Sequence, residues 1–444
     1  MLVAATAPEP PASVLRDDVK ASLDKAAIPG AAVGVVLGDR LVFAEGFGVA
    51  SVETGAAVTP ETLFQIGSLT KLFTATAVLV AAEQGKLSLD APIGERVKGL
   101  APCLARLTVT QLLSHTAGLL DEPDEYGPHD ESALGEYIRS WKDDVCLLPA
   151  GRAFSYSNSG YALAGLVLQE AYGKPYADAM QELVLTPLGM GRTTFRPTVA
   201  MTYPLAVGHR LRDGRAEVVR PMADDARLWP AGEIYTCLRD LTRFALAFLN
   251  DGMLEGRAVL SSGVIARLRM PRAEVPALGS RYGFGLMLDA YRGSPREGHA
   301  GTMPGFAALF TSLPGRRAAV LVLANREARL DDLGERLLDA LLFRGEPRSQ
   351  PVAAPELAVT ESEAGSYAGR YTNPRRFTLE IVRGESGLLL RAFGRDLPMR
   401  KVGERRFEVR RPGAPAAEPL VLGGGGDGPA DYLQFAYWSF IRTR

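Results

Sequence analysis

Three short stretches hold residues whose types and spacing suit them to chemistry. In Gly67-Ser68-Leu69-Thr70-Lys71, a hydroxyl and an amine stand three residues apart at the head of a long apolar segment. On a helix, that spacing puts both on one face, with Lys71 within reach of the Ser68 hydroxyl. A serine at a helix N-terminus sits among unsatisfied backbone N–H groups and the positive end of the helix dipole, which favour developing negative charge. A lysine drawn into an apolar helix has its ammonium pKa lowered and becomes able to accept a proton. In Tyr156-Ser157-Asn158, which follows a Pro-Ala-Gly turn at 149–151, Tyr156 can share a proton with Lys71 and Ser68. Asn158 can donate its amide to a substrate carbonyl and also hold the lysine. In Gly298-His299-Ala300-Gly301-Thr302, small residues surround a histidine just before an apolar strand. Such an edge lets a substrate approach the backbone closely and offers a backbone N–H to an oxyanion. Each stretch taken alone also has a purely structural reading: Ser68 and Asn158 as helix caps, Lys71 reaching solvent, Tyr156 packed, His299 incidental in a glycine-rich turn.

The elements that must position these residues follow from periodicity. Pro11 to Ala27 predicts an amphipathic helix. Ala31 to Leu37 and Leu41 to Gly46 predict two strands joined at Gly38-Asp39, a hairpin signal. Thr62 to Ile66 is extended. Ser68 to Gln84 is apolar nearly all round and stops at Gly85, so it predicts a buried central helix. From Leu107 to Leu249 the chain is helical and loop-rich, and the acidic run Asp121 to Asp130 predicts an exposed loop. Phe306 to Leu313 and Ala318 to Ala324 predict strands around Pro314-Gly315, followed by a helix from Leu330 to Phe343. Strands at both ends and helices between them imply one sheet with a helical insertion, an α+β arrangement. Gly345 to Pro355 has linker composition. Beyond it, Phe377 to Val382, Leu388 to Ala392, Arg406 to Arg410 and Tyr432 to Ile441 alternate, with Gly423 to Gly426 as a turn. That pattern predicts a small β-sandwich or barrel whose modest basic excess is a solvated face. The boundaries are 1–345 for the large domain, 346–358 for the linker and 359–444 for the tail.

Composition narrows the function classes. The 444 residues are 47% hydrophobic and 23% charged, which supports a large core. Lys+Arg total 50 against Asp+Glu 51, a net charge of −1 that argues against a surface built for nucleic acid or anionic lipid. No apolar run approaches the roughly 20 residues of a membrane span. Cys103, Cys146 and Cys237 are far apart and odd in number, which predicts three unpaired thiols. With four histidines and no paired ligand spacing, no metal or other cofactor is expected. The opening Met1 to Pro8 lacks a signal-peptide pattern, so the expectation is a cytoplasmic chain, or a periplasmic or secreted one from which a leader was removed.

The three stretches occur in the order used by the serine β-lactamase and penicillin-binding superfamily: Ser-x-x-Lys, Tyr-x-Asn, then a Lys-Thr-Gly-type triad before a strand. Leu112 to Leu119, Leu185 to Met190, and Pro230 to Phe244 resemble its class C β-lactamase-like branch, which includes D-aminopeptidases, D-stereospecific peptidases, D,D-carboxypeptidases and esterases. Tyr367-Ala-Gly-Arg-Tyr371 resembles the start of the lipocalin-like barrels that some of these peptidases carry. The resemblance implies an antiparallel sheet flanked by helices, a helical subdomain and a separate all-β tail. It implies Ser68 as acylated nucleophile, Lys71 and Tyr156 as the proton-transfer pair, Asn158 as substrate-positioning, and Ser68 and Thr302 N–H groups as oxyanion hole, with His299 and Gly301 on the substrate strand. His115 matches a recurring scaffold position without assigned chemistry. His299-Ala300-Gly301 departs from Lys-Thr-Gly and weakens a carboxylate subsite. That favours aminopeptidase-type D-peptidases and esterases over an efficient β-lactamase or carboxypeptidase. The partner expected is a small molecule or short peptide. An acyltransferase and a non-catalytic receptor are the alternatives. The tail is expected to pack, or to make a homo-oligomer, more than to cap the cleft, and its deletion to leave the nucleophile reactive.

Overall fold

The computed structural model describes residues 10–121, 126–347, 354–385, 387–414, 417–424 and 429–443. The opening Met1 to Pro8, linker residues 348–353, residues 122–125 of the acidic run and Gly425-Gly426 of the tail turn lie outside the described residues.

The central sheet is built from two distant parts of the chain. Helix α1 (Ala12–Lys25) buries Leu15, Val19 and Leu23 at helical spacing. Strands β1 (Gly30–Leu37) and β2 (Arg40–Gly48) form the first hairpin, turning at Gly38 with φ +66°. The remaining strands come from one late segment: β3 (Ala273–Val275), β4 (Ser280–Tyr282), β5 (Met287–Tyr291), β6 (Ser294–Met303), β7 (Phe306–Leu313) and β8 (Ala318–Ala324). All eight pair antiparallel in the order β2-β1-β8-β7-β6-β5-β4-β3. The β1–β8 pairing, with Ala31 opposite Ala324 and Leu37 opposite Ala318, joins the two parts. Both strands are apolar almost throughout because both sheet faces are covered. Helices α1 and α5 (Asp331–Leu342) lie on one face, in a core that includes Val33, Val35, Leu337 and Leu338.

Helices fill the stretch between the two parts. Helix α2 (Thr70–Glu83) is buried on nearly every side and is followed by Gly85 at φ +70°. It packs against α3 (Asn158–Tyr172) and, with α4 (Leu238–Leu249), in a second core that includes Phe73, Leu163 and Phe244 on the other sheet face.

Three expectations change. His299 lies inside the ten-residue strand β6 and not in a turn leading to a strand. Its partner β5 ends its pairing at Gly298, so β6 is interior up to that residue and an open edge from His299 to Met303. Asp121 is 2% exposed, not a loop residue in solvent. Cys103 and Cys146 are disulfide-bonded across a separation of 43 residues, while Cys237 is a buried free thiol. The turns Pro102–Ala105 and Asp143–Val145 meet in space, with the Cys103 N–H donating to Asp143 Oδ1 at 2.8 Å. Sequence spacing carries no record of that meeting.

The tail is a closed eight-stranded barrel, one of the two forms expected. Its strands are β9 (Gly369–Thr372), β10 (Thr378–Gly384), β11 (Gly387–Ala392), β12 (Arg395–Gly403), β13 (Arg406–Val409), β14 (Glu418–Gly423), β15 (Tyr432–Phe435) and β16 (Trp438–Thr443). Tyr371 opposite Arg442 closes β9 on β16. Leu379, Ile381, Leu390, Phe407, Leu420 and Phe440 belong to its core, following the period-two alternation.

Candidate active site

Ser68 lies in the short 3-10 turn Gly67–Leu69 that leads into α2. This turn presses directly on the open edge of β6. A Cβ on Gly301 would stand 1.9 Å from the Ile66 carbonyl oxygen and 2.8 Å from the Leu69 N. A Cβ on Gly67, whose φ is +52°, would stand 2.5 Å from the Thr302 N. Only glycine at these two positions allows so close an approach. The consequence is a Ser68 turn seated against the backbone of Thr302, itself exposed on the strand edge.

Lys71 is wholly buried at the first turn of α2. Its Nζ donates to Ser68 Oγ at 3.0 Å, Asn158 Oδ1 at 2.6 Å and the Ala231 carbonyl at 2.7 Å. Burial lowers its pKa from 10.5 to about 7, and the charge of Asp121 opposes that fall. As the free amine, Lys71 keeps two N–H donors for Asn158 and Ala231, leaving its lone pair for the Ser68 hydroxyl. The Tyr156 ring centroid is 4.8 Å from Nζ. Burial pushes the Tyr156 phenol well above its ordinary pKa, so it stays protonated, and its hydrogen bond with Ser68 pulls the other way. Hydroxyl, amine and phenol therefore share one pocket with Asn158.

His299 is buried, with its ring 6.4 Å from that of Tyr156. Its Nε2 faces the Tyr282 hydroxyl at 3.1 Å and its Nδ1 the Ala300 carbonyl at 2.5 Å. Burial, then the Lys71 charge, lowers its pKa to about 4, so it is neutral near pH 7. Its neighbour Ala300 is exposed and offers no hydroxyl. The structure thus groups Ser68, Lys71, Tyr156 and Asn158 by contact, with Gly301 and Thr302 beside the Ser68 turn and His299 at the rim.

Several residues in this pocket escaped the sequence reading. His115, given no chemistry, lies at φ +57° and stacks on Tyr156 with centroids 4.1 Å apart. Its Nδ1 accepts from the Ser157 N–H at 3.0 Å, and its carbonyl from the Ser155 N–H at 2.8 Å. Burial pushes its pKa well down, so the ring is neutral with its proton on Nε2. Asp121 accepts from the Asn158 N–H at 2.6 Å, at the N-terminus of α3 where a carboxylate is favoured. Its other oxygen pairs with Arg376 of the barrel. The Tyr437 carbonyl accepts from the Tyr156 N–H at 2.9 Å, and the Tyr437 ring meets the Tyr156 ring edge-on at 6.0 Å. Ser439 donates through N to Ser155 Oγ at 3.2 Å and through Oγ to the Phe154 carbonyl at 3.0 Å. The barrel is thus part of the wall, which the alternation of its strands does not reveal. A cavity of about 190 Å³ lined by His299, Ala300, Asp289, Asp331, Glu335 and Tyr437 lies between it and the sheet.

Residues 15–343 match the family described as Beta-lactamase, and the chain belongs to it. Among curated proteins it is similar to "Penicillin-binding protein 4" of Amycolatopsis lactamdurans, 28% identical over 76% of this chain and 94% of that one. Among solved structures it is similar to "Crystal structure of SurE", with 29% identity, a TM-score of 0.78, and 97% of this chain and 98% of that one covered. A structure titled "A class C beta-lactamase", 23% identical, shares the fold with a TM-score of 0.64 over 76% of this chain and 97% of its own. Homologues in this superfamily are serine hydrolases. No helix among the described residues is long and apolar enough to cross a membrane.

Proposed function

We propose that this chain is a serine hydrolase that works through an acyl-enzyme on an amide or ester of a short, D-residue-containing acyl group. The observation that carries the reading is the contact of Ser68 Oγ with a buried Lys71 of pKa about 7. Lys71 takes the Ser68 proton as Oγ attacks the carbonyl carbon. Tyr156, a protonated phenol beside Ser68 and Lys71, gives its proton to the leaving group and takes the Ser68 proton back from Lys71, so both return to their starting forms. The oxyanion rests on the Ser68 and Thr302 N–H groups, each worth about 3 kcal/mol. Water then releases the acyl group.

The D-residue preference draws on two points. A structure titled "Crystal structure of SurE with D-Leu" is 28% identical to this chain with a TM-score of 0.76. A neutral His299 and an exposed Ala300 also leave these two positions without the cation and hydroxyl that would bind a carboxylate. Transfer of the acyl group to an amine in place of water is a second reading. It draws on the cavity beside His299, which leaves room for a second small substrate next to the pocket, where Arg296 pairs with Asp289 and Glu335.

A fluorophosphonate reagent should label the wild type, and Ser68→Ala should abolish labelling. Labelling that persists in Ser68→Ala would remove the nucleophile assignment. D- and L-aminoacyl amides, p-nitrophenyl esters and nitrocefin then separate the substrate classes. The proposal requires turnover of D- over L-aminoacyl substrates and little of nitrocefin. An added amine that diverts product at constant acylation rate would favour the transfer reading.

A further inference from the structure

The barrel reaches the candidate nucleophile through a buried relay. Arg376 sits in the turn between β9 and β10, where its N–H donates to the Asn373 carbonyl at 2.9 Å. Asn373 is in turn tied to β16, its Nδ2 donating to the Ser439 carbonyl at 3.0 Å. The Arg376 guanidinium lies over the Trp438 ring, 4.1 Å from its centroid, which restricts its rotation. From there it pairs with the Asp121 carboxylate, whose side chain is 2% exposed. The opposite oxygen of Asp121 accepts the Asn158 N–H at 2.6 Å, and Asn158 Oδ1 accepts from Lys71 Nζ at the same distance. The sequence of contacts is guanidinium, carboxylate, amide, amine, hydroxyl. Each link is a hydrogen bond in a region with little water to substitute for a lost partner.

A carboxylate so deeply buried needs a compensating charge. Burial raises the Asp121 pKa, and Arg376 is the strongest influence opposing that rise. Without Arg376, Asp121 either takes up a proton or swings toward water. In both cases the anchor on the first residue of α3 changes, and with it the placement of the Asn158 side chain. Another ion pair joins the barrel to the large domain without touching this relay: Arg152 with Asp431 at 2.6 Å, on the surface. The two pairs separate general docking of the barrel from action on the site.

We propose that Arg376, supplied by the barrel, is a positioning residue for acylation: it fixes Asp121, which holds Asn158 and through it the Lys71 amine against Ser68. The inference rests on the acyl-enzyme reading of Ser68. It assigns the tail a part in the chemistry, against the expectation that its removal leaves the nucleophile reactive.

The test is saturable labelling of the full-length protein by a fluorophosphonate, resolving the limiting rate from half-saturation, with melting temperature and circular dichroism as folding checks. Arg376→Met should lower the limiting rate about 30-fold while half-saturation moves less than about threefold, the pattern of misplaced machinery and not of lost binding. Arg376→Lys keeps the charge but loses the planar fork and should fall about fivefold. Arg152→Met should stay within about twofold of wild type, as an exposed pair contributes little. A folded Arg376→Met that labels at the wild-type rate overturns the proposal. So does an equal loss in Arg152→Met, which would reduce Arg376 to a docking contact. If Arg376→Met does not fold, Arg376→Lys decides: a wild-type limiting rate overturns the assignment. Absence of Ser68-dependent labelling in the wild type would instead sink the acyl-enzyme reading.

Discussion

Replacing Lys71 with arginine tests the base assignment, because it keeps a cation and its donors but removes the ability to give up a proton. The magnitude follows from burial. At its ordinary pKa of 10.5, an amine at pH 7.5 would be about 0.1% free base. At about 7, it is about three-quarters free base. Burial in α2 therefore raises the reactive fraction several hundred-fold. The reactive form is the deprotonated one, so acylation should rise as pH increases through about 7 and level off above it. Lys71→Arg should lower the limiting acylation rate at pH 7.5 by about 10³-fold and abolish the rise. The assay is fluorophosphonate labelling from pH 5.5 to 9, with circular dichroism at each pH. A folded Lys71→Arg within about tenfold of wild type would refute the reasoning. A wild-type midpoint near the ordinary lysine value would do the same.

The neighbouring groups give further tests. His299 is already neutral above about pH 5, since its pKa is near 4. His299→Gln should therefore leave the acid limb of acylation at the Lys71 value, and a limb that disappears would assign the titration to His299. Gly301→Ala must push the Ser68 turn off β6, because its Cβ would stand 1.9 Å from the Ile66 carbonyl oxygen. Labelling should drop about 10²-fold as the oxyanion donors separate, and an unchanged rate would show that the two N–H groups do not act together. Replacing Cys103 and Cys146 with alanine opens a loop of 43 residues and should cost about 2–4 kcal/mol in denaturant unfolding. Labelling of the folded protein should stay within about twofold, since neither sulfur is a partner of Ser68, Lys71, Asn158 or Asp121, and the Leu119–Cys146 backbone pairing two residues before Asp121 does not need the S–S bond.

Local chemistry sets what the sequence could determine. Ser68 and Lys71 sit three residues apart on one continuous segment, and helix geometry alone brings them to one face. The apolar run that follows could only be buried, and a buried lysine must have a lowered pKa. The hairpin strands at the start, the pair Phe306–Leu313 and Ala318–Ala324, and the alternating tail were readable for the same reason: each is a short-range pattern imposed by a period of two or 3.6. Cavity-free contacts between distant segments carry no such pattern. Asp121 followed two leucines in an acidic run, and polarity alone read it as solvent-facing. Only the docking of α3 and the barrel turned it inward, onto Asn158 and Arg376. His115 stood in a stretch matched to the family, but its stacking on Tyr156 depends on a left-handed backbone and on packing from three further rings, those of Phe154, Tyr161 and Tyr282. The Cys103–Cys146 bond and the glycine contacts of Gly301 with Ile66 likewise join segments that meet only in the folded chain. The sequence by itself therefore determined which groups could react. The tertiary structure decided what surrounds them, because burial and partner charge are properties of the assembled interior and have no address along the chain.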